Sequence, residues 1–349
     1  METETLRCGL IGAGRIGRLH ADHLAHRIRR ASLEMVTDVA VDAARQCAES
    51  CGVRRFSANY HDLLSSPDID AVLICSSTDT HAEMIEAAAA AGKQIFCEKP
   101  IDFDLQRIDR ALAAVEKAGV LLQIGFNRRF DSNFRRVRDA LLSGEIGKPH
   151  LLHIVSRDPA PPPIEYVKKS GGIFLDMTIH DFDMARFLLG REVEEVYATG
   201  RVQIDGAIGE AGDYDTAVIM LNFADGIVAT IENSRQAVYG YDQRVEAFGA
   251  GGSISVGNNY PNTATIRGEQ AVCRDLPLNF FIDRYLESYV EELRQFVEAA
   301  LAGSPAPVSG ADGRIPVVIG KAAKLSAQQN RPVRLDEIDR PLGLDEVDP

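Results

Sequence analysis

The stretch of sequence that decides the fold is residues 6–17, LRCGLIGAGRIG. An apolar run leads into the spacing G-x-G-x-x-G, and a helix-like segment follows. In a strand–turn–helix unit, Gly12 permits a tight turn, Gly14 lets the backbone approach a pyrophosphate, and Gly17 lets the helix pack closely on the strand. Because the N-terminus of the helix presents unpaired N–H groups to phosphates, this stretch predicts a dinucleotide site. Its predicted cofactor-binding residues are Gly12, Gly14, Arg15, Ile16 and Gly17.

Residues 1–125 alternate strand-like apolar runs with helix-like segments. The runs are CGLIG, EMVTDV, AVLICSS, QIFCEK and LLQIGF, and the helical segments are Ile16–Arg30, Asp42–Cys51, Thr80–Ala91 and Leu105–Ala118. Runs that are apolar from end to end are typical of strands buried on both faces of a parallel sheet. We therefore predict an α/β domain, a Rossmann doubly wound parallel sheet covered by helices.

Residues 126–330 follow a different pattern and predict an α+β domain. Strand-like runs such as EEVYATGRVQI, DTAVIMLNF and GIVATIENS follow one another through short turns, which indicates a large, mainly antiparallel open sheet. The predicted helices are Ser132–Leu142, Phe174–Leu189, Asp283–Ala302 and Pro316–Gln328, and the C-terminal helix could pack back on the first domain. The acidic tail, residues 334–349, is expected to fray.

Composition excludes several classes of function. The 349 residues include 38 Lys and Arg against 51 Asp and Glu, a formal net charge of −13. So negative a chain is unsuited to sequence-independent nucleic-acid binding or to an anionic membrane surface. No run approaches the roughly 18 consecutive apolar residues of a membrane span, and the opening METETLRCGLIGAG lacks the basic and apolar regions of a secretory signal. With six cysteines and no secretory context, we expect reduced thiols in a cytoplasmic protein.

Asp38 ends the second predicted strand, at the distance from the glycine turn where an acidic residue binds the adenosine ribose 2′-hydroxyl. A carboxylate there would repel a 2′-phosphate, which favours NAD over NADP. Two alternatives remain open. Asp38 could instead begin a loop or cap the helix near Asp42, and Arg15 or Arg45 could contact a phosphate.

Polar residues at the carboxyl ends of the later strands border the ligand crevice of a doubly wound sheet. The segment Glu98-Lys99-Pro100 is the most informative, because charges at the end of a buried strand are costly unless they are paired or functional. A Glu98–Lys99 pair that pins the strand end is the structural alternative. The residues placed to reach ribose, nicotinamide or substrate are Ser76, Ser77, Thr78, Glu98 and Lys99, with His81 divided evenly between cofactor contact and helix packing.

The segment GGIFLDMTIHDFDMARFLLG, residues 171–190, carries the second polar cluster. If Phe174–Leu189 is helical, Asp176, His180 and Asp183 share one face of the helix. Carboxylates at these offsets can fix the tautomer of a histidine and tune its basicity, so His180 is predicted to act as an acid/base. A zinc or manganese site is the competing chemistry. It would need a third and a fourth ligand, and no second His/carboxylate cluster stands out, so no metal is predicted.

Three motifs taken together resemble one enzyme family. G-x-G-x-x-G near the N-terminus, Glu-Lys-Pro at residues 98–100, and G-G-x-x-x-D-x-x-x-H-D-x-D in the second domain are similar in order and spacing to the glucose–fructose oxidoreductase/inositol dehydrogenase (Gfo/Idh/MocA) family, over residues 6–330. Within that family, the segments VTDVAVDAA, GFNRRFDSNF, SRDP and YGYD most resemble the inositol 2-dehydrogenases.

The resemblance implies NAD(P)-dependent oxidation of a secondary alcohol on a cyclic polyol or sugar, with myo-inositol the leading candidate. His180 would take the hydroxyl proton as hydride leaves for the nicotinamide. Lys99 would hydrogen-bond the reacting oxygen and stabilise its developing charge, and Asp176 would orient this pair or relay protons. The family often has a cis peptide before the proline of Glu-Lys-Pro, so Lys99–Pro100 is expected to be cis.

The resemblance also implies contacts to the substrate. Arg128 and Arg157 could equally form domain or subunit salt bridges. Similar inositol dehydrogenases can carry a histidine and an asparagine around the S-R-D-P segment, where this chain has Ser156 and Asp158, and that departure leaves the identity of the polyol open. The residues expected to line the cavity are Asn127, Arg128, Arg157, Asp158 and Tyr239 or Tyr241.

The family further implies a homo-oligomer, commonly a tetramer, that pairs through the outer face of the second domain's sheet. Two other functions are compatible with the same scaffold. One is a dehydrogenase of another cyclic polyol or sugar, such as scyllo-inositol or an aldose. The other is a non-catalytic sensor that binds NAD and a sugar. The presence of both Lys99 and His180 counts against the sensor, because family members of that type have usually lost one of them.

Overall fold

The computed structural model describes residues 4–339. These residues form two compact units, each with its own large sheet. The first unit contains the described residues up to Asp131 together with Tyr285–Ile315, and the second contains Ser132–Arg284 and the described residues from Pro316 onward. No helix within residues 4–339 is long and apolar enough to cross a membrane.

Strands and helices alternate along the first unit. Its elements are β1 (Leu6–Ile11), α1 (Arg15–His26), β2 (Ala31–Thr37), α2 (Val41–Ser50), β3 (Arg55–Ser57), α3 (Tyr60–Leu64), β4 (Ala71–Ile74), α4 (Thr78–Ala90), β5 (Gln94–Glu98), α5 (Leu105–Ala118) and β6 (Leu122–Gly125). The six strands are all parallel and lie in the order β3-β2-β1-β4-β5-β6. The predicted Rossmann sheet is confirmed.

The strands that the apolar runs predict are the buried ones. All four side chains of β4 are buried, as expected of a parallel strand covered on both faces. No apolar run marks β3, a three-residue strand at the sheet edge with exposed or half-buried side chains. The short helix α3, which follows it, was also missed.

The second unit is built on a mixed sheet of seven strands. The elements from Ser132 onward are α6 (Ser132–Leu142), β7 (Pro149–Arg157), α7 (Ile164–Val167), α8 (Ile173–Asp176), α9 (Ile179–Leu189), β8 (Val193–Arg201), α10 (Gly206–Glu210), β9 (Thr216–Phe223), β10 (Val228–Ser234), β11 (Asp242–Gly249), β12 (Gly252–Val256), β13 (Thr265–Arg267), β14 (Val272–Arg274), α11 (Phe281–Ala302), α12 (Gly310–Gln329) and β15 (Val333–Arg334). Most of α11 and the start of α12 belong to the first unit. The sheet order is β12-β11-β7-β10-β9-β8-β15, and only β7 and β10 pair in parallel. The predicted mainly antiparallel sheet is confirmed.

Each central strand of this sheet has a buried face and an outer face. Along β9, Ile219 and Leu221 are fully buried, whereas Val218 and Met220 between them are exposed. The same alternation runs through β10 and β11. Because side chains alternate along a strand, successive residues of one strand belong to different surfaces.

The segment Tyr285–Ile315 extends the first unit beyond the predicted range, 1–125. Its helix α11 departs from helical geometry at Tyr285, and from there Leu293, Phe296 and Val297 join the apolar core that contains Cys8. These side chains explain why this part of the predicted second domain, 126–330, packs with the first sheet.

The predicted tail, 334–349, begins with ordered structure. Val333 is fully buried, β15 pairs with β8, and residues Leu335–Glu337 form a 3₁₀ helix. Arg331 supports this turn through an ion pair with Glu337 at 2.7 Å. The expectation of fraying is therefore wrong for residues 334–339, and residues 340–349 lie outside the described part of the chain.

Replacing Phe296 by Ala should destabilise the protein by about 3–5 kcal/mol, because it empties a fully buried aromatic site. The Phe296 ring stacks edge-on against Phe96, with 5.7 Å between centroids. Denaturant unfolding would measure the loss, with Glu298→Ala on the exposed side of the same helix as the control. Equal midpoints for the two variants would contradict the assignment of this helix to the first core.

Candidate active site

The glycine turn between β1 and α1 has a backbone geometry suited to a bound dinucleotide. Gly12 has a φ of +97°, and a Cβ atom there would lie 2.6 Å from the backbone of Cys75. A Cβ at Gly17 would collide with the carbonyl oxygen of Gly12, whereas the space around Gly14 is open. The geometry at Gly12 and Gly17 therefore requires glycine, as the spacing predicts, and the approach of Gly14 to a pyrophosphate stays a prediction.

The helix after this turn begins at Arg15, and Gly14 caps it without a side-chain hydrogen bond. The first turn of α1 also contains no acidic residue. Because the first N–H groups of a helix have no partner within the helix, they are available to phosphate oxygens. Arg15 is exposed at this end and Ile16 is half-buried.

The carboxylate of Asp38 lies against the glycine turn. One of its oxygens accepts a hydrogen bond from the Ala13 N–H at 2.7 Å, and the other accepts one from Ala40 N–H at 2.8 Å. The second contact shows that Asp38 does begin a loop, as the alternative proposed. A carboxylate has about four acceptor positions, so two remain for a ribose hydroxyl. Arg45, the alternative phosphate contact, is paired with Asp42 at 2.8 Å.

Ser76, Ser77 and Thr78 lie where β4 leads into α4, and Ser77 is the N-cap residue of that helix. The buried ring of His81 has Nδ1 2.8 Å from the carbonyl oxygen of Pro100 and Nε2 3.0 Å from that of Ser76. Because protein carbonyls face both ring nitrogens, this geometry favours the packing role over cofactor contact for His81.

Glu98 is the last residue of β5, and its Oε1 lies 2.7 Å from Nε2 of His20 on α1. Both side chains are buried. This pair ties the Glu-Lys-Pro segment to the helix of the glycine turn. Lys99 is half-buried, and the Lys99–Pro100 peptide bond is cis, as the resemblance implied.

Asn127 and Arg128 follow β6 in a 3₁₀ helix, Asn127–Phe130. The Asn127 side chain is 2% exposed, and its Nδ2 has no hydrogen-bond partner within the described residues. A buried amide N–H without a partner is costly, so this group is suited to donating to a bound molecule. The Arg128 guanidinium stacks over the ring of Tyr285, 5.6 Å from its centroid.

The predicted helix Phe174–Leu189 is interrupted in the second unit. The structure has α8 up to Asp176 and α9 from Ile179. Between them the Thr178 N–H donates to the Ile173 carbonyl at 2.9 Å, a span one residue longer than an α-helical turn. The prediction that Asp176 shares a helix face with His180 and Asp183 is therefore wrong.

His180 and Asp183 do belong to α9, and their environments differ. His180 is half-buried, whereas Asp183 is fully buried. Asp176 is half-buried at the end of the preceding helix. The interruption keeps Asp176 and His180 close along the chain but on separate helices.

Asp176 is held by two groups that the sequence analysis missed. The Tyr166 hydroxyl donates to one of its oxygens at 2.7 Å, and Arg235 Nη1 lies 3.3 Å from the other. Arg235 is 1% exposed and also pairs with Asp213 at 3.4 Å. Burial, followed by the charge of Asp176, raises the pKa of Tyr166 well above its ordinary value, so Tyr166 stays a donor.

A second polar group missed from the sequence is Asn233 on β10. It lies between Thr178 and Asp181, within hydrogen-bonding distance of both. A signal was present, since Ala229, Ile231 and Asn233 occupy the same buried face of β10. The alternation predicts an apolar residue at position 233. A polar residue there indicates a buried hydrogen bond.

Arg157 and Tyr239 lie together, on the outer face of the second sheet. Arg157 Nη1 is 3.0 Å from the Tyr239 hydroxyl, and both approach the buried Asp242 carboxylate. Arg157 also pairs with Glu232 at 2.8 Å. Ser156, which precedes it on β7, points to the opposite, buried face. This placement favours the salt-bridge alternative for Arg157, and the substrate roles of Arg157 and Tyr239 stay predictions.

Asp158 and Tyr241 differ in burial. Asp158 directly follows β7, is half-buried, and donates its N–H to the Ser234 carbonyl at 2.9 Å. Tyr241 precedes β11 and is buried.

Across residues 4–339, no group of three or more His, Cys, Asp or Glu side chains could hold a metal ion.

Comparison with known families covers most of the chain. Residues 6–126 match an oxidoreductase family with an NAD-binding Rossmann fold, and residues 134–255 match the GFO/IDH/MocA C-terminal domain. The chain belongs to the GFO/IDH/MocA oxidoreductase family. The resemblance drawn from the three motifs is confirmed, and so is the NAD-binding Rossmann domain.

Relatives within the GFO/IDH/MocA family are similar over their whole length. Myo-inositol 2-dehydrogenase of Thermotoga maritima is 50% identical over 333 residues, 95% of this chain and 99% of that protein. Inositol 2-dehydrogenase of Rhizobium meliloti is 46% identical, with the same coverage of both chains. The structure of scyllo-inositol dehydrogenase from Lactobacillus casei with bound NAD(H) and scyllo-inositol has a TM-score of 0.89 and 29% identity, and it covers 95% of this chain and 99% of that one.

A buried acid, Glu292, interacts electrostatically with Glu98 of the Glu-Lys-Pro segment. Glu292 on α11 is fully buried, and neither of its carboxyl oxygens has a hydrogen-bond partner within the described residues. Burial, with a further contribution from the Glu98 charge, raises the pKa of Glu292 well above its ordinary value. Burial and the neighbouring His20 lower the pKa of His23 to about 4. Burial thus favours the protonated form of Glu292 and the neutral form of His23.

The raised pKa of Glu292 predicts a pH-dependent stability. Folding favours the protonated acid, so this contribution is fully present below the ordinary glutamate pKa and is lost as pH rises through the raised value. Glu292→Gln removes the titrating proton. Above about pH 5, the parent should therefore lose stability relative to this variant, by at most about 1.4 kcal/mol per pH unit.

Denaturant unfolding of the parent and Glu292→Gln at several pH values measures this difference. Glu298→Gln, at an exposed position of the same helix, is the matched control and should follow the parent. Parallel stability curves for the parent and Glu292→Gln would refute the assignment.

Proposed function

We propose that the protein is an NAD-dependent inositol 2-dehydrogenase that oxidises a secondary alcohol of myo-inositol to the ketone. The observation that carries the proposal is the presence of Lys99, Asp176 and His180 in a chain that is 50% identical to the Thermotoga maritima myo-inositol 2-dehydrogenase. The glycine turn and Asp38 support NAD as the cofactor, because the carboxylate keeps acceptor capacity for a ribose 2′-hydroxyl and would repel a 2′-phosphate.

In the proposed reaction, NAD held by the glycine turn and Asp38 would supply the acceptor for the hydride of the carbinol carbon. His180 takes the hydroxyl proton as the C=O bond forms. The Lys99 ammonium donates a hydrogen bond to the reacting oxygen and stabilises the negative charge that develops there. Asp176, fixed by Tyr166 and Arg235, orients these groups. Proton removal by a positioned base contributes about 10²–10⁴-fold in rate.

The remaining predicted residues are proposed to bind the cofactor and the polyol. Asn127 would donate its free buried N–H to a substrate hydroxyl, with Arg128 and Asp158 as further polar contacts. Arg157 and Tyr239 contact Asp242, so their substrate roles stay predictions and are not part of this proposal. The proposed cofactor residues are the glycine turn with Arg15 and Ile16, then Asp38, Ser76, Ser77, Thr78 and Glu98.

We further propose a homo-oligomer, in the form of a tetramer, that pairs through the outer face of the second sheet. Leu151 and Phe248 are paired across β7 and β11, Val218 lies on the same face of β9, and each is about half exposed. A patch of exposed apolar side chains on an open sheet is typical of an interface. We place the enzyme in the cytoplasm, because its six cysteines are free thiols suited to a reducing compartment.

The alternative substrate is another cyclic polyol, and scyllo-inositol is favoured because the Lactobacillus casei relative was solved with it. Stereoisomers differ by a few hydrogen bonds, each capable of large discrimination. Turnover of inositol isomers and common aldoses with NAD and with NADP, followed by reduced-nicotinamide fluorescence, separates these substrates. Failure of every polyol and sugar would contradict the proposed function and favour a sensor.

Lys99→Ala and His180→Ala should each lower kcat with polyol by about 10²-fold or more, because each removes a group that acts on the reacting oxygen. NADH binding, measured by fluorescence, should survive. Lys117→Ala and His153→Ala serve as controls, since neither residue is assigned to the site. Unchanged turnover in either active-site variant would remove that residue from the reaction.

Asp38→Ala should weaken NAD binding and raise the kcat/KM ratio of NADP to NAD by about tenfold, corresponding to about 1.4 kcal/mol. The ribose hydroxyl would lose its acceptor and a 2′-phosphate would lose its repulsion. Asp42→Ala, on the neighbouring helix, is the control. An unaltered cofactor ratio would exclude Asp38 from ribose recognition.

A further inference from the structure

We propose that Asn233 is a positioning residue for His180. Its amide binds Thr178 and Asp181, the residues that flank the histidine, and so fixes the first turn of α9. The inference rests on the proposed function, in which His180 removes the substrate proton. None of the motifs in the sequence pointed to Asn233.

The contacts of Asn233 are all buried. The side chain is 2% exposed, and Thr178 and Asp181 are fully buried. Asn233 Oδ1 lies 2.5 Å from the Thr178 hydroxyl, and Nδ2 lies 2.8 Å from Asp181 Oδ2. The same Nδ2 lies 3.4 Å from the Ser156 carbonyl oxygen on the neighbouring strand β7.

The hydrogen-bonding capacities of these groups determine which atom donates. The Thr178 hydroxyl has one proton and two nearby acceptors, Asn233 Oδ1 at 2.5 Å and the Ile173 carbonyl at 3.1 Å. The Ile173 carbonyl already accepts the backbone N–H groups of Met177 at 3.0 Å and Thr178 at 2.9 Å, which occupy its two acceptor positions. The hydroxyl proton therefore goes to Asn233, and the two amide protons go to the Asp181 carboxylate and the Ser156 carbonyl.

An amide side chain can both accept a hydrogen bond from the Thr178 hydroxyl and donate one to the Asp181 carboxylate. A carboxylate at position 233 could accept from Thr178, but it would place a second negative charge against Asp181. An apolar residue would leave both partners without this contact in a buried environment, where unmet polar groups are costly. The pairing thus selects asparagine and one orientation of its amide.

The geometry of α9 links this contact to His180. Thr178 and Asp181 are three residues apart and face the same side of the turn, towards β10. An α-helix advances about 100° per residue, so His180 projects from the other side, where it is half-buried. Because Asn233 anchors the residues before and after it, a rotation of this turn that would misdirect His180 must break buried hydrogen bonds.

Loss of this anchor should affect the reaction more than binding. A displacement of about 1 Å in a catalytic group can lower the rate by about 10²-fold. We expect Asn233→Ala to lower kcat by about 10- to 100-fold and to change KM for the polyol and NADH affinity by less than about threefold. The primary deuterium isotope effect at the oxidised carbon should rise, because the chemical step becomes more strongly rate-limiting.

A double-mutant cycle with His180→Ala decides whether Asn233 acts through the histidine. Single turnovers with excess enzyme, followed for hours, give residual rates for the four proteins. In the His180→Ala background, Asn233→Ala should have almost no further effect. The same fold-loss in both backgrounds, or a kcat within twofold of the parent, would overturn the proposal.

Three controls separate a positioning role from general damage. Asn222→Ala, on the adjacent strand β9 where the amide contacts Glu195, should leave kcat unchanged. Thr178→Val removes the hydroxyl with little change in volume and should reproduce part of the kcat loss if Asn233→Ala does not fold. Normal turnover of His180→Ala alone would refute the proposed function, whereas an Asn233 effect that persists without His180 would refute only this inference.

Discussion

The close approach of α1 to the end of β1 is the contact on which the first unit depends. Only glycine at position 17 avoids a collision with the carbonyl of Gly12. With α1 seated there, His20 reaches Glu98 at the end of β5. One backbone contact therefore fixes both the turn suited to phosphates and the strand end that carries Lys99. A residue with a side chain at position 17 would disturb both together.

The parts of the fold predicted from sequence are those that bury a long apolar run. Five of the six strands in the first sheet have such runs, and the short turns between strand-like runs predicted the second sheet. The missed elements have no comparable signal. β3 has few buried side chains, and the β13–β14 hairpin is exposed throughout. Their pairing is set by neighbouring strands, which short-range periodicity does not report.

The residues of the site that depend on local backbone geometry were predictable from the sequence. Those that depend on contacts between distant segments were less so. The motifs predicted the tight turn at Gly12, the close helix approach at Gly17 and the cis bond at Lys99–Pro100. The break before α9 was missed because Met177 and Thr178 are compatible with a helix by pattern. Asp176 is bound by Tyr166 and Arg235, which lie 10 and 59 residues away along the chain. Buried polar contacts of this kind specify a geometry without leaving a periodic pattern.

The two-sided use of β10 has an evolutionary consequence. Asn233 faces the helix that carries His180, whereas the adjacent Glu232 faces outward and binds Arg157. Because a one-residue slip exchanges the two faces of a strand, an insertion or deletion here would disrupt both surfaces at once. Changes in chain length are therefore expected outside β10, which spans Val228–Ser234.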